Sequence, residues 1–248
     1  MRSAFTMWRY TKMIILVGVC SAIYSAALLA FKTAIPIIPG ITEVRVGNIF
    51  PMPFGIMFGP AGAWGSAIGN LVGDIFGGTL SPASIAGFVG NFLLGYLPYT
   101  MWTQVFPFSE RSISWNPGRF MNWVRYLFIG FISSSACAVV ISVAVDALGM
   151  VPYEVLSKII TLNDTIASWI GAVLLTTVFV TVKDHLNLFW IDIMDGGDIG
   201  RPVAGLVGAW IICLASIAGL IGGFFTSIPS YLIGWICSAL IIIGCLLI

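Results

Sequence analysis

Charge is what this sequence has least of. Asp, Glu, Lys and Arg together make up 8% of its 248 residues, with a single histidine. An ordinary soluble domain is about 25% charged, and a soluble chain of this length could not cover its surface with so few charges. Both histidine-dependent nucleophile arrangements and a phosphate-cradling loop are missing, so no catalytic centre and no nucleotide site of its own is indicated. The net charge of +1 gives no basic surface for nucleic acid. The five cysteines, Cys20, Cys137, Cys213, Cys237 and Cys245, have no paired spacing and sit in apolar stretches, as small packing residues do. The aspartates Asp192, Asp195 and Asp198 lie beside Gly196 and Gly197 in a stretch that looks like an ordinary turn rather than a metal site. The reading calls for no metal, no cofactor and no enzymatic activity.

What is abundant is apolar sequence: 59% of residues are hydrophobic, in long continuous blocks. Such blocks are long enough to cross a hydrocarbon core of about 30 Å as helix, and only helices and closed barrels satisfy their backbone there. A barrel would show alternating strands of about 10 residues. The expectation is therefore an all-α integral membrane protein with about eight segments: 12–34, 46–58, 61–78, 82–105, 123–148, 165–182, 203–226 and 231–248. The first run is too long for a signal peptide core and reads as a retained span. The second is interrupted by Pro51 and Pro53, and whether it spans fully is left open.

An even number of spans puts both termini on one side. That side would hold Arg2, Arg9, Lys12, Arg111, Arg119, Arg125, Lys183 and Arg201, against Lys32, Arg45 and Lys158 opposite. Cytoplasmic loops collect Lys and Arg, so both termini are expected in the cytoplasm of a multi-pass protein of the cell membrane.

Two helices carry patterned faces. In the first, Gly18, Ala22, Ala26 and Ala30 recur every four residues and form a smooth stripe. Such stripes let another helix approach closely, whether from within the protein or from a separate subunit. In the third segment, Gly65, Gly69, Gly73 and Gly77 form a glycine row, with Ser66, Asn70 and Asp74 alongside. Polar groups in a membrane face a partner or a cavity. Asn70 and Asp74 are therefore candidates to face a solute, though Asp74 could also reach interfacial water. Asn91 in the fourth segment either bonds another helix or contacts a solute. Glu43, Arg45 and Asn48 follow the Pro36, Pro39 and Gly40 break; Glu43 and Arg45 either pair with each other or close over a solute. Proline- and glycine-interrupted membrane segments point to transport sites.

The row Ala22, Ala26, Ala30 resembles the Ala-x-x-x-Ala-x-x-x-Ala signature of the substrate-binding S components of energy-coupling factor (ECF) transporters. The stretch 42–96 is similar as well, with Arg45 in an outer loop, a proline-broken second helix, Gly59-Pro-Ala-Gly62 at a turn and glycine-rich third and fourth helices. The likeness covers about residues 10–182 and is nearest to the queuosine-precursor and vitamin groups. It implies a capture protein for a scarce micronutrient, docked through Gly18, Ala22, Ala26 and Ala30 onto a transmembrane coupling subunit driven by two ATPases. The solute contacts would be Glu43, Arg45, Asn48, Asn70, Asp74 and Asn91. Arg45 and Asp74 would anchor charge and the asparagines orient hydrogen bonds.

Members of that family usually have six helices. The expected organisation is therefore a six-helix S-component-like core over 1–182, a cytoplasmic loop over 183–202 and an additional hairpin over 203–248. Two other readings stand beside it: a self-sufficient secondary transporter or channel, and a non-catalytic structural membrane subunit.

Overall fold

The computed structural model describes residues 1–31, 36–38, 42–43, 45–106, 113–225 and 228–248; of 36–38, 42–43 and 223–225 it describes the backbone only. The helices are α1 (Arg2–Thr6), α2 (Thr11–Phe31), α3 (Pro51–Phe58), α4 (Pro60–Phe76), α5 (Ala83–Met101), α6 (Phe120–Ala147), α7 (Tyr153–Val180), α8 (Trp190–Ile193), α9 (Gly196–Ile199), α10 (Gly205–Phe225) and α11 (Ser230–Leu247). A small antiparallel hairpin, β1 (Pro36–Ile38) with β2 (Thr42–Glu43), follows α2. A 3-10 turn, Val46–Ile49, leads into α3. The protein is thus of the all-α membrane class.

The eight apolar segments of the sequence correspond to α2, Val46–Phe58, α4, α5, α6, α7, α10 and α11. Among the described residues, five helices are long and apolar enough to cross a membrane: α2, α6, the helix beginning at Tyr153, α10 and α11. At 1.5 Å per residue α6 and α7 reach about 42 Å, whereas α3 reaches about 12 Å. The second segment is therefore a short helix inside the protein, with every residue from Pro51 to Phe58 buried. Its prolines do not interrupt it. Pro51 opens the helix and Pro53 lies in the first turn, where backbone N–H groups have no helical acceptor anyway.

The chain reverses between α3 and α4 at Gly59, whose φ of +52° suits glycine. A Cβ there would come within 2.4 Å of the Trp190 ring. Pro60 then starts α4 with its φ already set for helix. The glycine row of α4 packs on α2 in parallel: Gly65 meets Cys20, Gly69 meets Tyr24 and Gly73 meets Leu28. α5 returns antiparallel, so that Gly95 lies against Ala63 and Gly87 against Asn70. With no side chains between them, these backbones approach closely, as in membrane bundles generally.

α7 begins twelve residues earlier than the apolar run at 165–182 suggested. Its first turns carry Glu154, Lys158, Asn163 and Asp164, which dilute the hydrophobic signal. One face is nevertheless buried, through Leu156, Ser157, Ile160, Thr161 and Asp164. The helix ends in a π turn over Thr181–His185.

α10 and α11 pair with each other and lie on α6 and α7. Gly219 meets Val139, Gly234 meets the Tyr153 ring, and the Tyr153 hydroxyl donates to the Gly219 carbonyl at 2.8 Å. Both chain ends lie at the same end of the bundle, where the Met1 amino group donates to Ile248 O at 2.9 Å. Nearby, Tyr10 donates to Asp195 and Asp198, and Arg9 pairs with Asp198 at 3.3 Å. The aspartates read as a turn therefore also hold the N-terminal segment down.

Candidate functional site

At the opposite end, the apolar bundle encloses a polar cluster. It is built by α2, the Val46–Ile49 turn, α4, α5 and α7. Two hydrogen-bonded chains run through it.

The first is anchored on Arg45, which caps the 3-10 turn. Its guanidinium Nη1 donates to Asn70 Oδ1 at 3.0 Å. The other end of the Asn70 amide donates to Asp74 Oδ2 at 3.5 Å, one helical turn on. The Thr79 hydroxyl donates to Asp74 Oδ1 at 3.3 Å. The backbone N–H of Arg45 is itself held by Asn163 Oδ1 on α7, at 3.3 Å. Positive and negative groups thus sit at the two ends of a single amide.

The second chain is deeper. The Asn48 side-chain amide faces Asp164 Oδ1 at 2.6 Å. Tyr24, fully buried on α2, directs its hydroxyl at Asn48 Oδ1 (2.5 Å) and at Asn91 Oδ1 (2.6 Å). Asn91 Nδ2 donates to the Gly87 carbonyl of its own helix at 2.8 Å. Asn48 and Asn91 are 1% exposed and Asp164 is 2% exposed. Burying so many polar groups is tolerable only because each has a partner.

The residues singled out in the sequence divide as follows. Arg45, Asn70 and Asp74 meet in the first chain, and Asn48 and Asn91 meet through Tyr24 in the second. The Glu43 side chain lies outside the described residues. Ser66 does not take part; its hydroxyl bonds back to Gly62 O at 2.8 Å. Tyr24, Asn163 and Asp164 belong to the cluster and were missed. Tyr24 shares a helix with the alanine row, and nothing in a lone tyrosine marks it as central. Asp164 fell in a stretch read as a loop. A helical reading of 153–164 would have placed Leu156, Ile160 and Asp164 on one face.

The four residues Gly18, Ala22, Ala26 and Ala30 lie on the outside of α2, all exposed, and a Cβ on Gly18 would meet nothing within 4 Å. The opposite face of the same helix holds Cys20, Tyr24 and Leu28 against α4. One helix therefore carries the free stripe on one side and the centre of the polar cluster on the other.

The cluster offers a guanidinium, carboxyl groups and several amides, and no activated nucleophile. Among the described residues no group of three His, Cys, Asp or Glu side chains is placed to hold a metal ion. Such groups can hydrogen-bond a polar solute reversibly, and in a multi-pass helical membrane protein the class they fit is a membrane transport protein.

The sequence model of the QueT transporter family matches residues 14–179, about two-thirds of the chain. The protein belongs to the QueT transporter family, in agreement with the likeness to S components of the queuosine-precursor type. No curated protein and no solved structure matches the chain. The matched region takes in α2 to α7 and with them the whole polar cluster, while α10 and α11 lie beyond it.

Proposed function

We propose that this membrane solute-uptake protein is the capture subunit of an ECF-type importer. Its solute would be a queuosine-precursor or vitamin-like micronutrient, with a transmembrane coupling subunit and two ATPases supplying the energy. The observation that carries the reading is the two-faced α2. The stripe Gly18, Ala22, Ala26 and Ala30 is open to a partner helix, and Tyr24, on the same helix, holds the polar cluster together. A small-residue face open on the outside suits close docking of a second membrane subunit. A missing phosphate loop fits a protein energised by others.

Residues 1–182 form the capture core in this reading, 183–202 a cytoplasmic connection and 203–248 an added hairpin. Both termini face the cytoplasm of the cell membrane, in keeping with the Lys and Arg partition. The solute enters from outside, contacting Glu43, Arg45, Asn48, Asn70, Asp74 and Asn91, with Tyr24 and Asp164 added to the set. A bound polar molecule would satisfy both signs of charge, as a compound with ring donors and acceptors does.

The test is co-purification. Tagged wild-type protein expressed with its genomic complement of membrane and ATPase subunits should bring down one membrane partner and two ATPases. Recovery of the chain alone, with solute uptake intact in vesicles lacking the ATPases, overturns the reading in favour of a self-sufficient carrier.

A further inference from the structure

The deep chain of hydrogen bonds poses a problem of proton counting. Asn91 has one end fixed: the group facing the Gly87 carbonyl at 2.8 Å must be its Nδ2, because a backbone carbonyl only accepts. Its Oδ1 therefore faces Tyr24 at 2.6 Å, and the single phenolic proton of Tyr24 is committed to it. Asn48 is also 2.5 Å from the same hydroxyl. If Asn48 turns its oxygen to Tyr24, two acceptor oxygens face one hydroxyl at 2.5 and 2.6 Å, and one of the two contacts has no proton in it. An oxygen pair that close without a proton is repulsive, and the cost is greatest in a buried, low-dielectric site. Exchanging the oxygen and nitrogen of the Asn48 amide, which occupy the same volume, removes the conflict. Nδ2 then donates to Tyr24, and Oδ1 faces Asp164 at 2.6 Å. That contact holds only if the carboxyl is the donor.

We propose that Asp164 carries a proton in the ligand-free protein, donating it to Asn48. The chain then runs one way without a break: Asp164 to Asn48, Asn48 to Tyr24, Tyr24 to Asn91, Asn91 to Gly87. The groups facing Asp164 come from several elements. Asn48 comes from the 3-10 turn, and the Cys137 thiol of α6 is within hydrogen-bonding reach of the carboxyl. Among the described residues the charge of Arg45 is felt there, and its Nη1 is engaged with Asn70. Tyr24 on α2 is a further titratable group nearby, and it feels the charges of both Asp164 and Asp74. A solute that brings a cation to the same place would leave Asp164 as a carboxylate and send one proton to solvent. This consequence rests on the solute-site reading; the protonation state of the empty protein does not.

The experiment uses the purified, full-length, ligand-free protein in lipid nanodiscs at neutral pH. Infrared spectra are taken with unlabelled and with carboxyl-13C aspartate. The expected result is a carboxylic-acid C=O stretch that moves with the aspartate label and in D2O, is lost in Asp164→Asn and survives in Asp74→Asn. Wild-type protein showing only carboxylate bands from aspartate at neutral pH overturns the proposal. That readout needs no variant, so it stands even if Asp164→Asn does not fold. Loss of the acid band in Asp74→Asn but not in a folded Asp164→Asn likewise overturns it. None of these outcomes depends on whether the protein binds a micronutrient.

Discussion

Gly69 of α4 faces Tyr24 of α2 so closely that a Cβ at Gly69 would come within 2.9 Å of the Tyr24 ring and 3.0 Å of the Ser21 carbonyl. The missing side chain on one helix thereby positions the hydroxyl on the other, and the hydroxyl holds Asn48 and Asn91. Gly69→Leu should force the helices apart and cost at least about 1–3 kcal/mol, the usual penalty of overpacking. Thermal unfolding in detergent, followed by size-exclusion chromatography, measures it. Gly18→Leu, on the open face of the same α2, should leave the melting temperature nearly unchanged. Equal losses in the two variants would remove the distinction between the two faces.

Tyr24→Phe keeps the ring in its place against Gly69 and removes only the hydroxyl. It leaves the amide groups of Asn48 and Asn91 that face the hydroxyl buried and unmatched. An unsatisfied buried polar group costs about 1–3 kcal/mol, and the melting temperature should fall accordingly. Solute affinity should fall with it, since both amides lose their orientation. A Phe variant as stable as wild type would show that the hydroxyl does not organise the cluster.

Ala26→Trp tests docking. Ala26 is exposed on α2, so the variant should fold and bind solute as wild type does. It should fail to co-purify with the coupling subunit, because an indole on the stripe keeps a partner helix at a distance. Normal assembly of this variant would falsify the docking role of the stripe.

Arg45→Ala and Asp74→Asn test the outer chain. Each removes one charged partner of the Arg45–Asn70–Asp74 series. Truncating a buried, hydrogen-bonded charge pair commonly costs about 2–5 kcal/mol, equivalent to an affinity loss of at least about 30-fold. The ligand is the compound retained through purification and identified by mass spectrometry, and calorimetry gives its affinity. Unaltered binding in both variants would place the site elsewhere.

Gly59→Ala tests the turn that joins α3 to α4. The φ of +52° and the Trp190 ring both oppose a methyl group. Trp190→Ala in the same chain should relieve the crowding, while opening a cavity that by itself costs about 3–5 kcal/mol. A loss in the double variant smaller than the sum of the two single losses is the expected sign; additive losses would mean the ring is not the obstacle.

The membrane class, the apolar segments and most of the candidate residues were legible in the sequence because they depend on local pattern. A low charge fraction and unbroken apolar runs exclude a soluble fold whatever the tertiary arrangement. Rows four residues apart identify helix faces, and so Gly65, Gly69 and Gly73 were read as a packing row before any neighbour was known. Two local readings failed for identifiable reasons. Pro51 and Pro53 looked like interruptions, but they occupy the first turn of a helix, where proline has nothing to break. The first turns of α7 looked like a loop, because hydropathy averages over all faces and the buried side of Tyr153–Asp164 is only one of them.

What the sequence determined by itself is that the chain lives in a membrane, that α2 bears a smooth stripe and that α4 bears a polar row beside a glycine row. Only the tertiary structure decided which side of α2 stays open, and that residues 24, 48, 91 and 164 share one hydrogen-bonded chain. The physical reason is distance along the chain. Periodicity reports which residues of one helix point the same way, whereas a hydrogen bond between Asn48 and Asp164, 116 positions apart, exists only once the other helices of the cluster have fixed where both stand.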